Sequence, residues 1–395
     1  MKVFVTGMGI ITSIGDSVES NRKALMEGCC GIGMLKGFST RYAETLLFGE
    51  VKFTNEELRN MAGVNERGVS RTSLLALHAF KQAVSSASLS HEVISDSKTA
   101  LIVGNTVGGM CLTDELYKDA NQRDTGSEYV ASYDCGSVGI FLQQKFGMKG
   151  IINTINTACS SSANAIMYGT RLIRKGYAKR VIVGGTDSLA KFTINGFNSL
   201  HILSSAHCSP FDANRSGLNL GEGAAFLVLE SEEVSSNKKI LAEVKGYANT
   251  NDAYHPSTLS DTGDGPLLAM TKALEQAGLA PADIDFVNTH GTATENNDEV
   301  ESRAMISLFN NKVPAFASTK SNVGHTLGAS GAVEAVYCIL NLLHQEVYPS
   351  LNFNEPIAGT GLIPVREYSK APLNHIMSNS FGFGGNCSSL IFSRV

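Results

Sequence analysis

The strand and helix patterns of the first half of the chain recur, in the same order, in the second half. Apolar runs that favour strands alternate with helix patterns from end to end, which is typical of a sheet covered by helices. An apolar run at 151–155 and the helix pattern after it recur as a run at 315–318 and a helix pattern at 332–343. We therefore predict an α/β protein built from two similar halves.

The composition narrows the class of protein further. The 395 residues include 39 glycines, and 43% of the chain is hydrophobic, which fits a compact α/β enzyme with many tight turns. A net charge of −5 does not indicate a basic surface for binding nucleic acid or an anionic membrane. We expect neither a membrane-spanning helix nor a secretion signal. The eight cysteines are scattered without metal-type pairing, so we expect reduced thiols in a cytoplasm.

The stretch from Asn153 to Ser162 is the strongest candidate for a reactive site. Cys159 lies where a predicted buried strand ends and a predicted helix begins. The free amides and the positive end of that helix would favour the thiolate, which is the reactive form, and could hold a negative oxygen. A buried structural cysteine is the alternative explanation of this stretch.

Three further stretches carry polar residues or glycines near strand patterns. His290 follows an apolar run that ends at Val287, and Lys320 and His325 share the stretch 318–325. A fourth stretch, 379–386, is a glycine-rich turn before the last strand. A lone histidine is usually structural, but two histidines beside glycines just past strand ends can reach a pocket. One cysteine, two histidines, one lysine and a flexible turn form a set suited to acyl transfer.

These motifs resemble those of the β-ketoacyl-[acyl carrier protein] synthases, the elongating condensing enzymes of the thiolase superfamily. The matching segments cover essentially the whole chain in order: Thr-Ala-Cys-Ser-Ser at 157–161, His-Gly-Thr-Ala-Thr at 290–294, Lys-Ser-Asn-Val-Gly-His at 320–325 and Asn-Ser-Phe-Gly-Phe-Gly-Gly at 379–385. The resemblance implies the thiolase fold, with duplicated halves packed as five layers, α-β-α-β-α. The halves would be residues 1–235, with the nucleophilic cysteine, and 236–395, with the two histidines.

The resemblance also implies a decarboxylative condensation with malonyl-carrier protein. Cys159 would take an acyl group from a carrier protein, while the backbone amides of Cys159 and Phe383 hold the oxyanion. His290 and His325 would each present a ring N–H to the malonyl thioester oxygen as carbon dioxide leaves. No metal or redox cofactor is expected, because the substrates travel on the phosphopantetheine arm of the carrier.

Charged residues are expected to support the histidines. Lys320 and Glu334 match a family pair, with Asp298 and Glu301 nearby in the motifs. We interpret them as a charge network that fixes His325 and its polarity. A purely structural buried ion pair is the alternative.

Five residues are expected to contact the substrate. By resemblance, Thr292 and Thr294 hydrogen-bond the phosphopantetheine arm, although two threonines that only stabilise their loop remain an alternative. Phe383 is expected to act as a gate that moves once the cysteine is acylated, with Gly384 beside it in the flexible turn. Val107 is expected to form a wall of the acyl pocket.

The expected partners are an acyl carrier protein and a second subunit. Arg67 and Arg71 fall where the family has basic residues that meet the acidic carrier, or they are ordinary solvated arginines. We expect a homodimer built around the strand before Cys159, and a heterodimer with a chain-length partner stays open. The chain departs from the common pattern at Ser209 and at 386–387, so its acyl chain length, its carrier and its pathway, whether fatty acid, polyketide or polyene, stay undecided.

Two rival functions remain. A non-catalytic chain-length partner subunit typically lacks the cysteine, whereas this chain has Cys159 and both histidines. A degradative thiolase carries a second active-site cysteine in a Cys-Gly-Gly turn, whereas the turn here reads Gly-Gly-Asn-Cys at 384–387. Both differences favour the synthase.

Overall fold

The computed structural model describes all 395 residues. Ten strands form the main sheet, and four short strands pair in two small sheets. In chain order the strands are β1 (Val3–Ile11), β2 (Gly33–Met34), β3 (Leu47–Phe48), β4 (Thr99–Gly104), β5 (Ile152–Ile155), β6 (Arg180–Asp187), β7 (Gly223–Ser231), β8 (Ala242–Asn251), β9 (Phe286–Asn288), β10 (Ala315–Ala317), β11 (Glu346–Val347), β12 (Ser369–Lys370), β13 (His375–Gly382) and β14 (Asn386–Ser393).

Fourteen α-helices connect and cover these strands. In chain order the helices are α1 (Val18–Met26), α2 (Asn55–Ala62), α3 (Arg71–Ser86), α4 (His91–Ile94), α5 (Thr113–Gln122), α6 (Val130–Tyr133), α7 (Ser137–Phe146), α8 (Ser161–Arg174), α9 (Lys191–Ser199), α10 (Glu232–Ser235), α11 (Asp264–Ala277), α12 (Glu295–Leu308), α13 (Lys320–Val323) and α14 (Ser330–His344).

The order of the ten strands contains the predicted duplication. The order is β10-β9-β13-β14-β8-β1-β7-β6-β4-β5. Strands of the two halves meet only where β1 pairs with β8, through Phe4 with Glu243 and Val5 with Ala242. Counted outward from this junction, β1-β7-β6-β4-β5 matches β8-β14-β13-β9-β10 position by position, including the parallel pairing of the three outermost strands on each side.

Helices α8 and α14 form the central layer of the molecule. Each of them contacts strands of both halves and packs against the other. Helix α3 covers the outer face of the first-half strands, and α11 covers the outer face of the second-half strands, with α12 behind it. The five layers α-β-α-β-α implied by the resemblance are therefore present.

Alternating side chains explain why helices cover both faces of the strands. In β4, Ala100 and Ile102 belong to the central apolar cluster, whereas Leu101 and Val103 belong to the cluster under α3. Burying each large apolar side chain in this way stabilises the fold by about 1.5–3 kcal/mol. The strand pattern of the sequence is thus the pattern of a sheet buried on two sides.

Some helices were predicted with the correct start, and others were missed. The sequence patterns predict a helix capped by Ser17 and helices that begin at Arg71 and Ser137, and the structure has α1, α3 and α7 at these positions. The sequence analysis did not identify α2, α5, α9 or α12. In α9 only Ile194 is fully buried, so the apolar stripe that identifies a helix is almost absent there.

The strand before Cys159 is not buried as predicted. β5 lies at the outer edge of the sheet, its four residues are half-buried or exposed, and the preceding Ile151 is 38% exposed. A short apolar run does not reveal by itself whether its strand is central or at an edge. The molecule therefore carries a free sheet edge next to the candidate nucleophile.

One segment, Leu327–His344, is long and apolar enough to cross a membrane, which the sequence analysis overlooked. It contains α14, and 89% of the segment is buried inside the protein. A helix in the central layer has protein on every side, so its sequence is apolar all round.

Candidate active site

Cys159 lies in a tight turn between β5 and α8. Ala158 has a φ of +51°, a left-handed conformation that costs about 1–3 kcal/mol for a residue with a side chain. The turn is closed by the N–H of Ser160, which donates to Thr157 O at 3.3 Å, and by the N–H of Ser161, which donates to Ala158 O at 3.1 Å. The thiol is therefore held at the start of a buried helix, where the sequence predicted it.

The backbone of the glycine-rich turn lies against the amide of Cys159. A Cβ placed on Gly382 would lie 2.8 Å from Thr157 O and 3.2 Å from the Cys159 nitrogen, so only glycine allows this approach. Burial raises the pKa of the Cys159 thiol to about 11, while the charge of Lys320 and hydrogen bonds from the amides of Phe383 and Cys159 act in the opposite direction. The two amides predicted to hold the oxyanion therefore both favour the thiolate form of Cys159.

His325 contacts the thiol directly. Its Nε2 lies 3.0 Å from Cys159 Sγ. The backbone N–H of Leu327 donates to Nδ1 of the same ring at 3.1 Å, and the hydroxyl of Ser330 lies 3.0 Å from that nitrogen. Because a backbone N–H can only donate, Nδ1 is an acceptor, and the ring proton is assigned to Nε2, which faces the thiol.

Lys320 holds His290, so the predicted contact with His325 is wrong. Its Nζ donates to His290 O at 2.6 Å, to His290 Nδ1 at 3.3 Å and to Glu334 Oε1 at 2.5 Å. These bonds use all three ammonium hydrogens and assign the ring proton of His290 to Nε2. Lys320 and His325 share one motif, but the chain turns between them at Gly324, whose φ is +77°, so the two side chains meet different partners.

Asp298 and Glu301, the buried carboxylates of α12, hold neighbouring loops through hydrogen bonds. Neither of them bonds to His325. Glu301 accepts the N–H groups of His290 and Gly291, both at 2.9 Å. Asp298 accepts backbone N–H groups from two neighbouring loops at 2.8 and 3.1 Å. Burial raises the pKa of Glu301 to about 7 against the effect of these amides. The predicted charge network is thus divided: Lys320 and Glu334 orient the ring of His290, and Glu301 its backbone.

Both histidines are neutral at neutral pH. Burial lowers the pKa of each ring well below its ordinary value, and the charge of Lys320 lowers both pKa values further. The Cys159 thiol and one nitrogen of each ring lie within 4.8 Å of one another, close enough to hold a metal ion. Because each Nε2 carries a proton, the rings face the site with N–H donors rather than with metal-binding lone pairs.

The thiol and both histidines line a cavity of about 400 Å³, which we call the thiol cavity. Thr292 and Thr294 also line it, with their hydroxyl oxygens 2.9 Å apart. Phe383 lines it as well, and its ring stacks on Phe197 with 5.7 Å between the centroids. The structure therefore brings together the predicted nucleophile, the two histidines, the two threonines and the gate.

Gly384 and Val107 do not line the thiol cavity. Gly384 has a φ of +76° and donates its N–H to Pro256 O at 2.8 Å, so it shapes the turn behind Phe383 instead of facing the cavity as predicted. Val107 is buried in a separate apolar cluster, against which Phe197 also packs. Phe197 therefore connects the thiol cavity with the surroundings of Val107.

Asp187 is a functional candidate that the sequence analysis missed. Its fully buried carboxylate accepts the N–H groups of Val107 at 2.8 Å and Gly328 at 2.7 Å. Burial raises the pKa of Asp187 to about 6 although these hydrogen bonds lower it. Asp187 thus joins the loop of Val107 to the loop that follows His325. The available signal was an acidic residue at the end of a strand that begins with the apolar run 181–183.

Arg71 is not free to meet a partner. Its guanidinium pairs with Glu222 at 2.6 Å and donates to the carbonyl groups of Val51 and Phe53. Arg67 is exposed. Of the two arginines that resemble carrier contacts, only Arg67 retains that prediction.

The raised pKa of the thiol predicts a steep pH dependence of Cys159 alkylation. With the pKa near 11, thiolate is the minor form throughout the neutral range. Iodoacetamide labelling of Cys159, followed by peptide mass spectrometry, should rise about tenfold per pH unit from pH 7 to 9.5. The same cysteine in the denatured chain, with an ordinary pKa of about 8.5, should level off within that range. A plateau by pH 8 in the folded protein would contradict the predicted pKa.

Joining two carbon chains on thioesters needs a nucleophile that carries one chain and N–H donors that stabilise the enolate of the other. The five-layer fold brings both to one cavity, which places the molecule among the thiolase-fold condensing enzymes. The chain belongs to the β-ketoacyl synthase family. The family model "Beta-ketoacyl synthase, N-terminal domain" matches residues 1–235, and "Beta-ketoacyl synthase, C-terminal domain" matches residues 241–354.

Curated relatives share one enzymatic name. The chain is 33% identical to 3-oxoacyl-[acyl-carrier-protein] synthase 2 of Synechocystis and 32% identical to the mitochondrial 3-oxoacyl-[acyl-carrier-protein] synthase of Arabidopsis thaliana. Each alignment covers the whole of this chain, and 98% and 93% of the respective relative. The protein is therefore a 3-oxoacyl-[acyl-carrier-protein] synthase, an acyltransferase.

Solved structures agree with this membership. The ishigamide ketosynthase/chain length factor superposes with a TM-score of 0.93 at 29% identity, over 100% of this chain and 99% of that chain. A β-ketoacyl synthase from Burkholderia phymatum gives 0.91 at 30% identity with the same coverage. A ketosynthase in complex with its type II polyketide acyl-carrier protein gives 0.89 at 25% identity, again over 100% and 99%.

Proposed function

We propose that Cys159 carries the acyl chain and that His290 and His325 activate malonyl-carrier protein. The observation that carries this proposal is the convergence of the thiol and the two histidines within 4.8 Å, with each Nε2–H directed to the cavity. A chain-length partner has no use for an intact thiol at this position. A catalytic synthase is therefore favoured over a non-catalytic chain-length partner subunit.

The first half-reaction transfers the acyl group to the enzyme. The Cys159 thiolate attacks the thioester carbonyl of the acyl-carrier, and the negative oxygen is held by the amides of Cys159 and Phe383. The carrier thiol leaves and takes the proton that the cysteine gave up. The ring of Phe383, now stacked on Phe197, lies where it can move aside for the acyl chain.

The second half-reaction builds the new carbon–carbon bond. Malonyl-carrier loses carbon dioxide, and the electron pair moves into an enolate whose oxygen accepts the two Nε2–H groups. The enolate carbon attacks the acyl carbonyl on Cys159, the carbon–sulfur bond breaks, and the 3-oxoacyl chain leaves on the carrier. Neutral histidines suit this step because they donate N–H groups without protonating the enolate. These residues supply every step, so we propose that the enzyme needs no metal or redox cofactor.

We further propose an acyl carrier protein as partner, with Thr292 and Thr294 beside its phosphopantetheine arm. Both threonines line the same cavity as Cys159, and their hydroxyl oxygens lie 2.9 Å apart, which supports the proposal. The eight cysteines are free thiols, which supports a reducing cytoplasm. Chain elongation in fatty-acid or polyketide synthesis uses the same chemistry, so the products identify the pathway.

The proposal is tested with a panel of acyl-carriers and malonyl-carrier. Products extended by two carbons and bearing a 3-oxo group, detected by mass spectrometry, are the expected result. An acyl mass on Cys159 that is never extended would overturn the condensation. The chain length that gives the highest rate assigns the substrate and the pathway.

We predict that the chain forms a dimer across the free edge of β5. The edge leaves unpaired backbone groups, and Ile140 on the neighbouring α7 is 52% exposed. Light scattering at micromolar concentration should give the mass of a dimer, and Ile140→Asp should lower that mass to the monomer's. Ile363→Asp, which changes another exposed isoleucine, should leave the dimer intact. A fully active monomer would contradict the prediction, and a dimer that forms only with a different chain would establish the heterodimer.

A further inference from the structure

Five hydrogen-bond donors converge on the carboxylate of Asp187, the last residue of β6. The donors are the side-chain amide of Asn105, the N–H and the hydroxyl of Thr106, and the N–H groups of Val107 and Gly328. The carboxylate is fully buried, so its loss would leave donors inside the protein without an acceptor. With its pKa at about 6, Asp187 is ionised in the neutral range, and hydrogen bonds to an ionised acceptor are strong.

The two oxygens of this carboxylate hold different segments of the chain. Oδ1 faces the loop after β4 and accepts the N–H groups of Thr106 at 3.0 Å and Val107 at 2.8 Å. Oδ2 accepts the hydroxyl of Thr106 at 2.6 Å and the N–H of Gly328 at 2.7 Å. Gly328 belongs to the short helical turn Leu327–Ala329, which follows His325. Oδ2 is therefore the atom that reaches the segment of His325.

The turn that Oδ2 holds is strained at its first residue. Leu327 has a φ of +53°, a left-handed conformation that is unfavourable for a residue with a side chain. Its N–H donates to Nδ1 of His325 at 3.1 Å, and the next N–H along the chain, that of Gly328, donates to Asp187. A strained turn persists only where its surroundings hold it, and the carboxylate of Asp187 supplies one such contact.

The N–H of Leu327 decides which nitrogen of His325 carries the ring proton. The hydroxyl of Ser330 lies 3.0 Å from the same Nδ1, but a hydroxyl can donate or accept, so it fits either tautomer. A backbone N–H can only donate, so it fits only an Nδ1 that carries no proton. If this amide moved away, Nδ1–H could form and donate to Ser330, and Nε2 would face Cys159 without a proton.

We propose that Asp187 is a positioning residue for His325: by holding Gly328 it keeps the amide of Leu327 on Nδ1, which keeps the Nε2–H that faces the thiol cavity. The inference rests on the proposed function, because it assigns Asp187 to the step in which His325 donates to the enolate oxygen. Asp187 is not part of the lining of the thiol cavity, so it acts through the ring of His325 and not on the substrate.

Asp187→Asn changes the hold on this turn while keeping the size of the side chain. The Oδ1 position faces three N–H donors, so the single amide oxygen belongs there. The new NH₂ group then takes the Oδ2 position, where the Thr106 hydroxyl can rotate to accept from it but the N–H of Gly328 cannot. Two donors would face each other at Gly328, and the turn would lose its contact.

This variant should separate the two half-reactions. Carbon dioxide release from malonyl-carrier should fall on the order of tenfold or more, because the N–H that His325 gives to the enolate oxygen is no longer fixed. Acylation of Cys159 should be nearly unchanged, because an Nε2 without a proton can accept the proton of the thiol. His325→Ala, by contrast, should slow both steps.

The position of the proton on His325 is the readout that a merely structural role would not change. Nitrogen-15 NMR of histidine-labelled enzyme distinguishes a ring N–H from a bare ring nitrogen, and the signals that are missing in His325→Ala identify this ring. Wild type should carry Nε2–H, and Asp187→Asn should populate Nδ1–H. Asp212→Asn is the matched control, because Asp212 is also a buried carboxylate that accepts three backbone N–H groups. It should leave the proton of His325 on Nε2.

Gly328→Ala changes the same contact from the other side and keeps the carboxylate. Its Cβ would lie 2.8 Å from Asp187 Oδ2 and 2.9 Å from Thr106 Cγ2, so the turn must move. The donors of the loop after β4 keep their acceptor in this variant. Gly328→Ala should therefore reproduce the proton shift and the loss of carbon dioxide release, and it keeps the test decisive if Asp187→Asn does not fold.

The outcomes separate the inference from the proposed function. A proton that stays on Nε2 in folded Asp187→Asn or in Gly328→Ala would overturn the inference, whatever the rates. Equal loss of acylation and carbon dioxide release, with the proton unmoved, would reduce Asp187 to a structural residue. A proton that moves to Nδ1 while carbon dioxide release stays at the wild-type rate would support the positioning role of Asp187 and overturn the proposed role of His325.

Discussion

Cys159→Ala should abolish condensation, lowering the rate on the order of a millionfold, as loss of a nucleophile does in other covalent enzymes. No other thiol has the same surroundings, namely two backbone amides, a histidine Nε2 at 3.0 Å and a helix start. Intact-mass measurement with acyl-carrier should show no acyl-enzyme. Malonyl decarboxylation should persist, because the groups that hold Nδ1 of His290 and of His325 are unchanged.

The control is Cys29→Ala, which removes an exposed thiol and should retain full activity. Digestion of the acylated wild-type enzyme should place the acyl mass on Cys159 only. An acyl mass on Cys387 or Cys111, or normal condensation by Cys159→Ala, would show that the nucleophile has been assigned wrongly.

His290→Ala should form the acyl-enzyme and then stop. Each histidine gives one preorganised N–H to the enolate oxygen, and removing such a donor costs a hundred- to a thousandfold in rate, about 3–4 kcal/mol. Carbon dioxide release from malonyl-carrier should fall by this factor. His290 does not contact the thiol, so acylation should be nearly unchanged. His325→Ala should lose decarboxylation equally and also slow acylation, because His325 Nε2 contacts Cys159 Sγ.

Acylation and carbon dioxide release are measured separately in each variant, with His91→Ala as the control that removes an exposed histidine. If either active-site variant decarboxylates malonyl-carrier at the wild-type rate, its assigned role is wrong. Lys320→Ala extends the test. The structure links Lys320 to His290, so this variant should lose decarboxylation like His290→Ala, and it should also slow acylation because the charge that favours the Cys159 thiolate is gone. Lys320→Ala combined with Glu334→Ala avoids leaving an unpaired buried carboxylate.

The sequence predicted which residues are catalytic better than it predicted which groups hydrogen-bond to them. Cys159, His290 and His325 each follow a strand pattern, and elements of that kind end at the same region of an α/β fold. Lys320 was assigned to His325 because the two share one motif. Its actual partner, His290, lies 30 positions away. Ser330 and the amide of Leu327, which fix the ring of His325, belong to an ordinary helix start and carry no sequence signal of their own.

By itself, the sequence determined the alternation of strands and helices, the duplication of the halves, the family and the identity of the reactive side chains, because local periodicity and short motifs encode each of these. Only the tertiary structure decided that β5 is an edge strand, that Arg71 is locked to Glu222, and which ring nitrogen of each histidine carries the proton. These properties depend on contacts between distant segments, such as the pairing of Cys159 with His325 across 166 positions. Such contacts exist only after the two halves pack around α8 and α14.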